Sequence, residues 1–246
     1  YFSSAYFANL QIKFKKTAKP LRPKPLMRGE YMIQHYPFTL LPLPYLYDSL
    51  EPYVDMETMY YHHDKHLQTY VDNLNRLLKP WTEYHDWTLE RLILDNRELP
   101  ESIREDVLKN AGGVYNHQLF FAGMTPNPTL PQGRLERALL LDFGNLDAFY
   151  ETFYQMALKL FGSGYLWLAA DERGKLALFP LPNQETPLPK NLEPIINLDL
   201  WEHAYYLKHQ NRRADYIRDW FHVINWNEAG RRYENALLDA ELRKGN

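Results

Sequence analysis

From residue 55 onward apolar and polar side chains recur with the period of a helix, and the chain reads as a succession of helices interrupted once by strands. Asp55 precedes Met56-Glu57-Thr58 as a helix cap. Met59, His62, His66, Tyr70, Leu74 and Leu77 then return at helical spacing until Pro80 stops the run. A second helical run covers residues 88–95. A third starts at Pro100 and reaches Phe121, crossing a predicted break at Asn110-Ala111-Gly112-Gly113. Ahead of them Pro37, Pro42 and Pro44 forbid a helix and predict an extended arm. Two antiparallel helices with inward-facing histidines make a helical hairpin domain, assigned to residues 38–125.

Residues 124–133 carry three prolines and a glycine and form the linker between domains. Helical patterns return at residues 134–143 and 146–161. Residues 165–170, 175–181 and 194–198 read as strands, the first two joined as a hairpin by the turn Asp171-Glu172-Arg173-Gly174. Helices are expected again at 202–210, 213–224 and 227–243. The fold class is α+β: an N-terminal α-helical hairpin domain, then a C-terminal domain over 131–246 with a small three-stranded antiparallel sheet packed with helices.

Aromatic residues make up 15% of the 246, and hydrophobic ones 45%, enough for a sizeable core. No apolar run approaches the roughly 20 residues that span a bilayer, so no membrane partner is expected. There is no cysteine, so disulfides and thiolate ligands are excluded and any metal must be held by His, Asp or Glu. Charge is unevenly spread. Residues 1–31 hold seven Lys/Arg and one acid. The remainder therefore carries 28 − 7 = 21 basic and 31 − 1 = 30 acidic residues, a balance of −9. An acidic body argues against nucleic acid as a partner. Residues 1–37 form a basic, proline-containing tail and arm. The tail has three readings: a leader that is not native protein, because Arg28-Gly29-Glu30 can be encoded as a ribosome-binding sequence before a start at Met32; a disordered arm; or a transit peptide. The expected compartment is the bacterial cytoplasm, with the mitochondrial matrix as the alternative if the tail is a transit peptide.

The candidate chemistry lies in three stretches. His62 and His66 are four apart and share a helix face, with His63 turned about 100° away. His117 follows the glycine pair. Asp199 ends a strand, and His203 returns four residues later. Three imidazoles and one carboxylate suit a transition metal and match Ca²⁺ or Mg²⁺ poorly. Taken singly, each histidine is as well read as a packed core residue; their joint occurrence carries the argument.

YHHDKHLQTYVDNLN (61–75), GGVYNHQLFF (112–121), FGSGYLWL (161–168) and DLWEHAYYLKHQNRRADYI (199–217) resemble, in order, motifs of the iron/manganese superoxide dismutases. The likeness extends over about residues 38–240. It implies one metal per subunit held by His62, His117, Asp199 and His203 with a solvent molecule, and conversion of two superoxide anions to O₂ and H₂O₂. It also implies that a Gln tunes the metal. Iron-preferring members place it four residues before the second-helix His; manganese-preferring members have Gly there and a Gln on the sheet side. Gly113 and Gln184, within Asn183-Gln184-Glu185, fit the manganese pattern, so one Mn is favoured, with Fe as the alternative.

The resemblance further implies that His66 and Tyr70 line substrate access. It implies a homodimer in which Glu202 reaches the partner's ligand His203 and Tyr206 reaches the partner's His66, Glu202 and Tyr206 being taken as one short helix. Trp201, Tyr165 and Phe121 would wall the site. Two of these depart from the family, which usually carries Trp at positions 121 and 165; both stay aromatic, so a dry apolar cage is expected. The competing functions are a catalytically silent metal-binding homologue and a mononuclear non-haem iron oxygenase, a class that typically uses only two His and one carboxylate.

Overall fold

Asp55 caps the first helix by accepting the backbone N–H of Thr58. The computed structural model describes residues 34–244; the readings of residues 1–31 lie outside them. Helix α1 (Met56–Tyr60) passes without interruption into a π-helical stretch, Tyr61–Leu67, and then into α2 (Gln68–Leu78). The π stretch is a departure from the regular 3.6-residue helix of the sequence reading. Its i→i+5 turns are wider than α turns and recur at functional sites, and here they hold His62, His63 and His66. The short α3 (Leu89–Leu94) follows, capped by Thr88, then the long α4 (Glu101–Ala122).

The predicted break at residues 110–113 does not exist: α4 runs straight through. Glycine weakens a helix interior by roughly 1 kcal/mol relative to alanine, so the pair needs another reason. The reason is contact. A Cβ on Gly112 would lie 2.5 Å from the backbone oxygen of Gln184, and one on Gly113 would lie 2.4 Å from a ring carbon of Tyr70. Bare backbone at these positions lets α4 touch α2 on one side and the loop after the second strand on the other.

The extended arm is pinned rather than loose. Asn75 on α2 holds Phe38 through both its backbone groups, each at 2.8 Å, and Tyr45 donates to the Phe121 carbonyl at 2.8 Å.

After the linker come α5 (Gly133–Phe143) and α6 (Leu146–Lys159), then the antiparallel sheet in order β2-β1-β3, with β1 Gly164–Ala170, β2 Leu176–Pro182 and β3 Glu193–Asp199. The central strand β1 is buried along its whole length, as its unbroken apolar sequence requires, and a bulge interrupts its pairing with β3 at Leu168/Ala169. Gly174 takes a positive φ of 78° in the β1–β2 turn, where its amide bonds the Asp171 carbonyl. The predicted helix 202–210 is two pieces: a 3₁₀ turn Glu202–Ala204 and α7 (Tyr206–His209), separated by Tyr205 at φ −142°. α8 (Arg213–Trp220) and α9 (Trp226–Lys244) complete the chain.

The two halves are joined tightly. Met124 and Ile224 form a β-bridge, flanked by Thr125 N–H to the Val223 carbonyl and Asn225 N–H to the Gly123 carbonyl, both at 2.8 Å. Arg232 on α9 donates at 3.1 Å to both the Leu119 and Ile195 carbonyls, tying α4 to β3. Replacing Gly112 by alanine sets a methyl against backbone that has no rotamer to escape through. We expect Gly112→Ala to lower the unfolding free energy by about 1–3 kcal/mol in denaturant titration, despite alanine's better helix propensity; an unchanged or raised midpoint would contradict the packing described.

Candidate metal centre

His62, His117, Asp199 and His203 come together although they lie on the π stretch, on α4, at the end of β3 and in the 3₁₀ turn. One ligating atom from each lies within 4.8 Å of all the others. Asp199 Oδ2 is 3.3 Å from the Nε2 atoms of both His62 and His203 and 3.6 Å from His117 Nε2; His117 and His203 Nε2 are 3.5 Å apart.

Two of the four, His117 and Asp199, are held from behind. His117 Nδ1 faces the Gly113 carbonyl at 2.6 Å, so Nδ1 carries the proton and the Nε2 lone pair points into the centre. Asp199 Oδ1 accepts the Trp201 N–H at 2.8 Å, and its backbone carbonyl accepts the Tyr216 hydroxyl at 2.8 Å.

The electrostatics fit a cation. Burial pushes the His62 pKa down to about 4 and drives that of His117 well below the usual imidazole range, so both are neutral near pH 7. Burial opposes ionisation of Asp199, but the imidazoles of His203 and His62 outweigh it and hold its carboxyl well below the usual carboxylate range. His62 Nε2 is buried without a hydrogen-bond partner. Three imidazole nitrogens and a buried carboxylate oxygen converging this closely make the donor set that a positive ion would take. Four hard or borderline donors with no sulfur suit Mn or Fe.

The other predicted residues surround this cluster. The His66 ring lies 3.8 Å from that of His203 and 5.1 Å from that of Tyr70, and both His66 and Tyr70 are half-buried. Burial, then the neighbouring His203, lowers the His66 pKa to about 3, while burial raises that of the Tyr70 phenol. Gln184 is fixed at both ends of its amide: Nε2 donates to the Tyr70 hydroxyl at 3.1 Å, and Oε1 accepts from Asn116 Nδ2 at 3.0 Å. The Phe121 ring packs 4.9 Å from His62, Trp201 lies 5.7 Å from His203 and Tyr165 6.1 Å from His117.

Glu202 and Tyr206 are exposed and do not join the cluster within one chain. With Gly162, Ser163, Trp201, His203, Tyr205 and Arg213, Glu202 lines an open pocket of about 400 Å³. Arg213 is fixed there by bonds to the Leu160, Gly162 and Leu200 carbonyls.

Asn116 is the residue that sequence reasoning passed over. It is fully buried and orients Gln184, and its own carbonyl is held by Asn197 at 2.9 Å. Its place beside His117 in the motif was the available signal.

Helical hairpin, three-stranded sheet and a buried three-histidine, one-aspartate cluster define a mononuclear metalloprotein of the redox type. Residues 37–125 match the family described as iron/manganese superoxide dismutases, alpha-hairpin domain, and residues 131–232 the C-terminal domain of the same family. The chain belongs to the iron/manganese superoxide dismutases. It is similar to a Mn/Fe superoxide dismutase of Methylomonas sp. (strain J), 46% identical over 201 residues, covering 81% of this chain and 99% of that one. It is also similar to a Mn superoxide dismutase of Pseudomonas aeruginosa (46% over 202 residues, 82% and 99% covered) and to one of Leptolyngbya boryana (43% over 203 residues, 81% and 82% covered).

The His62 pKa predicts how the metal-free protein responds to acid. Its folded value lies below its unfolded value of 6.5, so the unfolded chain takes up the proton first. The full stability therefore holds above about pH 6.5 and is lost as pH falls toward 4. At 1.36 kcal/mol per pH unit, His62 alone accounts for about 3 kcal/mol. Thermal melts of chelator-stripped protein should show the midpoint dropping across that window, and a flat profile from about pH 7 to pH 4 would contradict the burial of this imidazole.

Proposed function

We propose that this protein dismutes superoxide, using one manganese ion held by His62, His117, Asp199 and His203, with iron as the alternative metal. The convergence of those four side chains in a chain of this family carries the reading. The bound metal would supply a one-electron couple between its +3 and +2 states, which takes an electron from one superoxide and returns it to the next. What the chain supplies is position, dryness and protons. His66 and Tyr70, half-buried beside the cluster, form the access route for a small anion. Tyr70 holds a proton at its hydroxyl, because burial keeps the phenol protonated while Gln184 donates to the same oxygen. Gln184, locked by Asn116, presents a fixed dipole to the solvent position of the centre. Phe121, Trp201 and Tyr165 exclude bulk water.

Manganese is favoured because Gln184 fills the tuning position from the sheet side while Gly113 has no room for a side chain against Tyr70. The fold divides, in this reading, into the hairpin domain 38–125 and the α/β domain 131–246. The working unit is a two-fold homodimer. Its supports are the open pocket beside His203, lined by Glu202, and the apolar side chains left exposed next to it: Phe161, Tyr206 and Leu207. Glu202 of one chain would accept from the ligand His203 of the other, and Tyr206 would meet the other His66. No described helix is long and apolar enough to cross a membrane. The bacterial cytoplasm is the proposed compartment, supported by the absence of cysteine and by bacterial relatives.

Reconstitution with each metal, followed by a superoxide-consumption assay, tests the activity. Asp199→Ala should abolish metal retention and turnover together, and a variant that keeps stoichiometric metal and full activity would sink the assignment. Glu202→Ala should weaken dimerisation and metal retention in parallel. Sedimentation of the wild type as a fully active monomer at micromolar concentration would remove the dimer from this account.

A further inference from the structure

Tyr165 stands where the family's strand motif usually carries Trp, and by ring size it is one wall of an apolar cage. Its hydroxyl gives it a second capacity. The residue is fully buried on β1 and faces Asp199 directly in the β1–β3 register, so the two side chains leave the sheet on the same side. The hydroxyl oxygen lies 3.4 Å from His117 Nδ1 and 3.5 Å from His117 Nε2, with the two rings at 84°. Neither nitrogen takes the phenolic proton. Nδ1 already has the Gly113 carbonyl at 2.6 Å as its partner, and Nε2 is turned toward the other three donors. A buried O–H without an acceptor costs free energy, and a phenol has one proton to give. Two groups remain beside it: the Gln184 amide, and the Asp199 carboxylate, which stands opposite Tyr165 in the register and whose Oδ2 lies 3.6 Å from the same His117 Nε2 that the hydroxyl approaches. The ionised acceptor forms the stronger bond, by roughly a factor of two.

We propose that Tyr165 is a positioning residue that donates its O–H to Asp199 and thereby limits how much carboxylate charge reaches the metal. The inference rests on the metal centre proposed above. A carboxylate that shares its lone-pair density with an O–H is a weaker ligand, and a weaker anionic ligand favours the +2 state over the +3 state. Gln184 then approaches the hydroxyl as a donor, through the same amide that serves Tyr70. The two phenols and one amide form a chain that ends on the ligand carboxylate. An aromatic ring without the hydroxyl would keep the cage and lose this control.

The test compares wild-type and Tyr165→Phe protein, both loaded with manganese to equal stoichiometry by metal analysis, in a mediated redox titration. At a fixed potential the ratio of reduced to oxidised manganese should fall about tenfold in the variant, a midpoint lower by about 59 mV for a one-electron couple. A hydroxyl with only a structural role would lower the thermal midpoint and leave the redox midpoint unmoved. A ratio changed less than twofold, about 18 mV, overturns the proposal. If Tyr165→Phe does not load metal, a fluorinated tyrosine introduced at position 165 preserves the shape and strengthens the donor. The midpoint should then rise, and an unchanged or lower value overturns the proposal equally. Failure of the loaded wild type to consume superoxide would remove the proposed activity, while the redox titration would still decide the role of Tyr165.

Discussion

A fully buried carboxylate among neutral imidazoles is the condition on which the rest of this structure depends. Asp199 cannot reach water, and burial keeps His62 and His117 without the protons that would pair with it. Left alone, this is an expensive arrangement in a low-dielectric interior. Everything nearby serves to hold it in place: the Trp201 amide on one oxygen, Tyr216 on the backbone carbonyl, and the Gly113 carbonyl on the imidazole opposite. The chain gathers three imidazole nitrogens and one negative charge at the point where a cation would be held, and this is why the cluster reads as a metal centre.

Contacts at the glycine pair set the geometry around that charge. Because Gly112 and Gly113 bring backbone against Gln184 and Tyr70, two adjoining sides of one helix fix the amide, the phenol and, four residues after Gly113, the candidate ligand His117. These are separate functional groups but a single packing event. A substitution at either glycine would therefore disturb Tyr70 and Gln184 together.

Much of this was legible in the sequence, where local pattern and long-range consequence agreed. The apolar run 165–170 reads as a strand, Asp171-Glu172-Arg173-Gly174 reads as the turn after it, and the four candidate ligands stand out because their motifs fall in the family's order. The failures share a cause, which is that they depend on what lies across the fold. Periodicity over Tyr61–Leu67 looks α-helical, and nothing local announces the wider π turns. A glycine pair in a helix looks like a break until Tyr70 and Gln184 are placed against it. The run after Asp199 looks like one helix because the turn at Tyr205 involves no proline or glycine. Asn116 looks like a spacer before a histidine, and Tyr165 like a conservative aromatic exchange, until the partners of their polar atoms are known.

The joint between the halves has a consequence for how the molecule comes apart. Two of the four candidate ligands come from the segment before the linker and two from the segment after it. The Met124–Ile224 bridge, at the linker's first residue, and Arg232 fasten the same two segments. The proline-rich stretch at 126–132 is therefore not what fastens them. A protease that nicks it would produce two polypeptides still clasped together, and two separately made fragments would have the surfaces needed to find each other. Covalent continuity there is a convenience of synthesis, whereas the clasp itself is built from helix, sheet and coordination.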